Sequence, residues 1–210
     1  MTGVLRDLIG RTVVMLSLAT ALVGLSIALD LPRTGASAAV GHGAADHGAG
    51  AAPHAPVTSE VDFIAGMIPH HQEAVDVARE VVERGERAEV RALARGIVAA
   101  QADEIAQLEA WLAAWYPDAP AAEYTPMMRR LEGLTPPAVD VVFVFDMIMH
   151  HEMAIAMARE ALALEPPPRA EVAALARDII DAQGEEIALL RGWVDAWWPA
   201  EGGATHDGGH

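Results

Sequence analysis

The sequence predicts an all-α fold, a four-helix bundle built from two repeated helical hairpins. Three observations predict it. The first is an internal repeat: Asp62-Phe-Ile-Ala-Gly-Met-Ile-Pro-His-His71 returns eighty residues on as Val142-Phe-Val-Phe-Asp-Met-Ile-Met-His-His151, as two copies of one supersecondary unit would. The second is apolar spacing by threes and fours, the seam of a helix that packs against others. The third is a helix stop inside each copy, Arg84-Gly85-Glu86 in the first and Glu165-Pro166-Pro167-Pro168 in the second. Two hairpins with one apolar stripe each bury those stripes best against one another.

Residues 1–38 read as a signal peptide or a membrane anchor. Arg6 and Arg11 precede an apolar run from Thr12 to Leu29, followed by Asp30, Pro32 and small residues. That order is a charged n-region before a hydrophobic h-region, and Ala36-Ser37-Ala38 and Ser37-Ala38-Ala39 both resemble signal-peptidase sites. The run is about 18 residues long, near the lower limit for crossing a bilayer, so cleavage and anchoring both stay open. In either case the arginine bias leaves the N-terminus in the cytoplasm and the remainder outside.

Residues 39–57 are Gly, Ala, Pro and His with almost no large apolar side chain. Such a segment cannot bury enough surface to order itself and reads as a disordered linker. The tail, 200–210, has the same character. Between them lies the bundle domain, 58–199, with repeats 58–116 and 138–198.

In the first helix Phe63, Met67, His70, Ala74, Val77 and Val81 form the seam. Pro69 removes the backbone bond to Ala65 and predicts a kink beside the histidines; Met149 holds the equivalent place in the third helix. In the second helix the seam runs Val90, Ala94, Ile97, Gln101, Glu104, Leu108, Trp111 and Trp115. The repeat continues there: Arg87-Ala-Glu-Val returns at Arg169, Gln101-Ala-Asp-Glu-Ile returns as Gln183-Gly-Glu-Glu-Ile, and Trp111, Trp115 and Pro117 return as Trp193, Trp197 and Pro199. A proline-rich stretch from 117 to 138 joins the two copies. Glu60 and Asp140 recur seven residues before Met67 and Met147, and read as acids favoured at the starts of their own helices.

The seams carry residues foreign to an apolar core. Folding each hairpin about its turn brings His70 level with Gln101 and Met67 level with Glu104. In the second copy His150 meets Gln183, and Met147 meets Glu186. Buried ionisable groups must be paired, and four helices contributing polar groups at one height is how bundles build internal metal sites. Met67, His70 and His71 share a helix face, but adjacent residues diverge by about 100°. His70 and His150 therefore point inward, with His71 and His151 along the helix–helix edges. The candidate ligands are Met67, His70, His71, Met147, His150 and His151. Gln101, Glu104, Gln183, Glu186, Met153 and Met157 stand behind them as supporting or further ligands. Imidazole with thioether suits soft and borderline transition metals, thioether favouring Cu(I) and imidazole Cu(II).

Composition removes several classes. The net charge of −16, with no lysine, argues against nucleic acid, whose binders need a basic face. The absence of cysteine excludes disulfides, thiolate metal sites and cysteine catalysis. No nucleophile with a base and no phosphate loop is visible, so a binding protein rather than an enzyme is expected. His42, His47, His54, His206 and His210 in the flanking segments are candidate weak metal sites. Cleavage after Ala39 would start the mature chain Val40-Gly41-His42, a nitrogen set suited to Cu(II) or Ni(II).

Phe-x-x-x-Met-Ile-x-His-His, then Gln-x-x-Glu-Ile and Trp-x-x-x-Trp, resembles the bacterial family known as domain of unknown function 305. The resemblance covers Glu60 to Pro199. It implies a ferritin-like four-helix bundle and an exported protein, some members being copper-binding and linked to copper resistance. The expectation is therefore an extracytoplasmic metal-binding protein for copper sequestration, delivery or tolerance. Zinc and iron stay within the ligand set, and no organic cofactor is expected. Two alternatives stand: a ferritin-like di-metal oxidase, for which the layer is poor in carboxylate, and a metal-free interaction module with a buried His/Gln/Glu network. Oligomeric state is left open.

Overall fold

The computed structural model describes residues 56–199. The N-terminal run, residues 39–55 and the tail, with His42, His47, His54, His206 and His210, lie outside the described residues. Four helices follow in order: α1 (Glu60–Arg84), α2 (Ala88–Trp115), α3 (Pro136–Leu162) and α4 (Ala170–Trp197). No strand occurs among the described residues. The all-α expectation and the two-hairpin order hold. The linker ends earlier than expected: Val57 is buried, and its N–H donates to the Glu160 carboxylate at 3.0 Å.

The Ser59 hydroxyl caps α1 by accepting from Asp62 N at 3.2 Å, which satisfies one of the orphan donors of a helix start. The helix then runs through Pro69 to Arg84 as one element. Proline at the start of α3 needs no lost bond, because a first-turn N–H has no partner in the helix. α3 is long and apolar enough to cross a membrane by composition, but most of that window is buried among the other helices, as in a core helix.

α1 packs on α2, α3 on α4, and α1 on α3. The core divides into two apolar clusters. One takes Phe63, Ile64 and Met67 from α1, Leu108 from α2, Ala154 and Met157 from α3, and Val172 and Ile179 from α4. The other takes Ala78 and Val81, Ile97, Phe143 and Met147, and Leu190, again from all four helices. The histidines lie in the sequence between the residues of these clusters on α1 and α3.

Two reciprocal clasps join the hairpins. The Asp140 carboxylate of α3, 1% exposed, accepts from Glu86 N at 3.0 Å and Arg87 N at 2.8 Å, at the start of α2. The Glu60 carboxylate of α1 accepts from Arg169 N at 2.5 Å, at the start of α4, and from the Tyr116 hydroxyl at 2.7 Å. The two acids thus hold the helix starts of the opposite hairpin; Glu60 also lies in the first turn of its own helix, as expected, whereas Asp140 lies beyond the first turn of α3. Burial raises the Glu60 carboxyl, but the Arg169 and Tyr116 hydrogen bonds outweigh it and leave it below the usual range. Above each clasp an arginine covers an aromatic ring: Arg87 lies 4.2 Å from the Trp197 centroid and Arg169 4.5 Å from that of Trp115. Such cation–π contacts contribute about 0.5–1 kcal/mol at exposed sites.

Candidate metal centre

All four histidines of the paired motifs are buried, none more than 1% exposed. His71 and His151, expected along the helix–helix edges, are as deeply buried there as the inward-pointing pair. α1 has two partners, α2 and α3, and the turn of about 100° between neighbouring residues aims one imidazole at each. His70 faces α3, its ring centroid 3.7 Å from that of His150. His71 faces α2, with Nε2 2.8 Å from Glu104 Oε2, close but off the line of an N–H hydrogen bond. In the second hairpin His151 Nε2–H donates to Glu186 Oε2 at 2.6 Å. Glu104 and Glu186 thus meet the second histidine of each pair, one helical turn from the expected match with Met67 and Met147.

The hydrogen bonds of His150 and His151 fix their tautomers. A carboxylate against Nε2 puts the proton there, as it does at His151. His150 Nε2–H donates to the His70 carbonyl oxygen at 3.0 Å. The lone pairs of the His150 and His151 rings then sit on Nδ1, and these two atoms, with both ring nitrogens of His71, are buried without a hydrogen-bond partner. The Oε1 atoms of Gln101 and Gln183 are buried without one as well. Five acceptor atoms therefore stand in the core with no donor. Buried polar atoms are nearly always satisfied in folded proteins, and leaving one unmet costs about 1–3 kcal/mol. Burial, then the neighbouring His151 and His71, hold the His150 imidazole well below its ordinary value, which keeps it neutral.

No three His, Asp or Glu side chains converge into a ready cage among the described residues. The imidazole donors come in pairs, and any closed coordination must add sulfur or an amide. Met67 and Met147 are fully buried in the two apolar clusters. Met153 and Met157, each 5% exposed, line a cavity of about 1040 Å³ between α1, α3 and the connector, together with His70 and Met127.

Three residues at this site carried no pattern in the sequence. Glu73 accepts from Met127 N at 2.9 Å, Met128 N at 3.0 Å and the Tyr124 hydroxyl, and lies 3.6 Å from His150 Nε2. Burial and the Glu73 carboxylate push the Tyr124 hydroxyl up from its ordinary value. Tyr124 meets the His70 ring edge-on at 6.1 Å. The available signal was a break in the repeat, since Glu73 stands where the second copy has Met153. Tyr124 and Met127 lie in the connector, where no periodicity exists to read.

The family described as domain of unknown function (DUF305) matches residues 60–133, 118–194 and 140–210. The comparison with curated proteins gives no match. Among solved structures, CopM in the Cu(I)-bound form is 31% identical, covering 67% of this chain and 98% of that one, with a TM-score of 0.60. CopM in the Cu(II)-bound form is 30% identical, covers 66% and 97%, and has a TM-score of 0.58. A DUF305 fragment from Deinococcus radiodurans is 31% identical, covers 65% and 95%, and has a TM-score of 0.57.

Proposed function

This chain belongs to the DUF305 family, and from that premise we propose that it is an extracytoplasmic copper-binding protein that sequesters or delivers the metal rather than transforming a substrate. The carrying observation is the set of donorless acceptors in the core: Nδ1 of His71, His150 and His151 with Oε1 of Gln101 and Gln183. A cation satisfies such a set of lone pairs directly. Metal-bound histidines characteristically donate their other N–H to a carboxylate or a carbonyl, as His151 does to Glu186 and His150 to His70. Imidazole with nearby thioether suits copper. The copper- and silver-bound CopM structures support the same metal class. The N-terminal arginines and apolar run support export.

The test uses the full chain with His42, His47, His54, His206 and His210 all replaced by alanine, so that binding reports the bundle. Titration with Cu(I), Cu(II), Zn(II) and Fe(II) is expected to show copper bound more tightly than micromolar, and lost in His70→Ala/His150→Ala. No copper binding above that affinity, or binding unchanged by the double substitution, overturns the reading. Stoichiometric iron with oxygen consumption would instead favour the di-metal oxidase.

A further inference from the structure

The α1–α3 groove has two halves related by the repeat, and they have diverged. One half is bordered by Val141, Phe145 and Asp146 of α3. There the connector is tied down: Asp146 accepts from Arg129 N at 2.7 Å and from Arg129 Nε at 2.9 Å, and Glu73 of α1 holds Met127 N and Met128 N. The other half is bordered by the equivalents eighty residues earlier, Val61, Ala65 and Gly66. Phe145 has become Ala65, and the anchoring Asp146 has become Gly66. Across the groove, Glu73 and Val77 are answered by Met153 and Met157. Two of the changes remove bulk or an anchor, at Ala65 and Gly66, and the other two place sulfur where the first copy has Glu73 and Val77.

The result is the cavity of about 1040 Å³, with Met127, Met153 and Met157 on its walls and His70 among its lining residues. Methionines in a bundle ordinarily fill gaps; these three border a gap they leave open. Gly66 gives Met157 its room, since a Cβ there would stand 3.2 Å from the Met157 methyl. The His70 ring in turn touches that of His150 at 3.7 Å, so the cavity abuts the imidazole layer.

We propose that this open half-groove is a monovalent-copper site, with the thioethers of Met127, Met153 and Met157 as its donors and His70 as the step into the imidazole layer. The proposal rests on the copper reading above and adds an oxidation-state preference: thioether selects Cu(I), while the imidazole layer accepts Cu(II) as well. The volume leaves room for an ion together with a residual ligand from its carrier.

The experiment uses the full chain with the five flanking histidines replaced by alanine, and compares it with the same chain carrying Met153→Leu/Met157→Leu, swaps that conserve volume. Cu(I) affinity is read by competition with a chromophoric Cu(I) chelator, and Cu(II) by direct titration. The substitutions are expected to weaken Cu(I) roughly tenfold or more, at least what loss of a supporting residue costs at metal sites, with Cu(II) unchanged. Unchanged Cu(I), or equal losses of both ions, overturns the site. If the parent chain binds Cu(II) but not Cu(I), the site fails while the copper reading stands; if it binds neither, the copper reading fails. A measurement without substitutions guards against misfolding: on addition of Ag(I), the methyl resonances of Met127, Met153 and Met157 are expected to shift, while those of Met67 and Met147 stay in place. The opposite pattern also overturns the site.

Discussion

The His70 and His150 rings face each other across the α1–α3 contact, with centroids 3.7 Å apart and planes tilted by 36°. They are the same residue of the two repeats, so the duplicated hairpins meet at their own copied histidine. Each ring has its chain neighbour, His71 or His151, turned to the partner helix of its hairpin. One duplicated dipeptide thereby builds an imidazole layer spanning four helices.

Removing the Asp140 clasp should be costly. Asp140→Ala leaves the N–H groups of Glu86 and Arg87 without the acceptor that orders the α1–α2 turn. A loss of about 1–3 kcal/mol is expected in urea denaturation. Gly85→Ala should act through the same contact, because a Cβ there would stand 2.8 Å from Asp140 Oδ1 and from the Val81 carbonyl oxygen.

The metal-free protein should lose stability in mild acid. Burial, aided by His151 and His71, holds folded His150 well below its ordinary value of 6.5. Unfolded His150 takes up a proton below that value while the folded group does not. The unfolded state then binds more protons, so stability is full above 6.5 and falls as pH drops toward the folded value. The urea midpoint should decline between about pH 7 and pH 5, and less steeply in His150→Gln. Equal slopes in the two proteins would remove His150 as the cause.

The two carboxylates should act on metal affinity rather than on folding. Glu186→Gln exchanges the acceptor that fixes the His151 tautomer for an amide that can also donate. Copper affinity should fall about 10–100-fold, the usual cost of losing an orienting partner. Glu186 is partly exposed, at 27% for its side chain, so the melting temperature should change little. Glu104→Gln, facing His71, should behave alike.

Much of the fold was legible because the repeat and the seam are local patterns. Phe63, Met67, His70, Ala74 and Val81 are all buried as their spacing requires. The seam left the depth of His71 unread because it assumes one buried stripe, whereas α1 packs on both α2 and α3. It matched Glu104 to Met67 because counting from the turn gives heights and ignores the reach of a long side chain. The groove was not legible: it depends on where an aperiodic connector crosses α1 and α3, and Tyr124, Met127 and Arg129 reach it from loop positions. The divergence of Glu73 from Met153 was visible as a mismatch, but only the fold shows that both border one groove.

The central claim, that copper is held by the partnerless Nδ1 atoms of the core, is tested most directly by imidazole nitrogen NMR of the tail-histidine-free chain titrated with Cu(I). On binding, Nδ1 of His71, His150 and His151 is expected to shift while Nε2 of His150 and His151 keeps its proton. Copper that binds without moving those Nδ1 resonances, or that displaces the Nε2 protons instead, would contradict the claim.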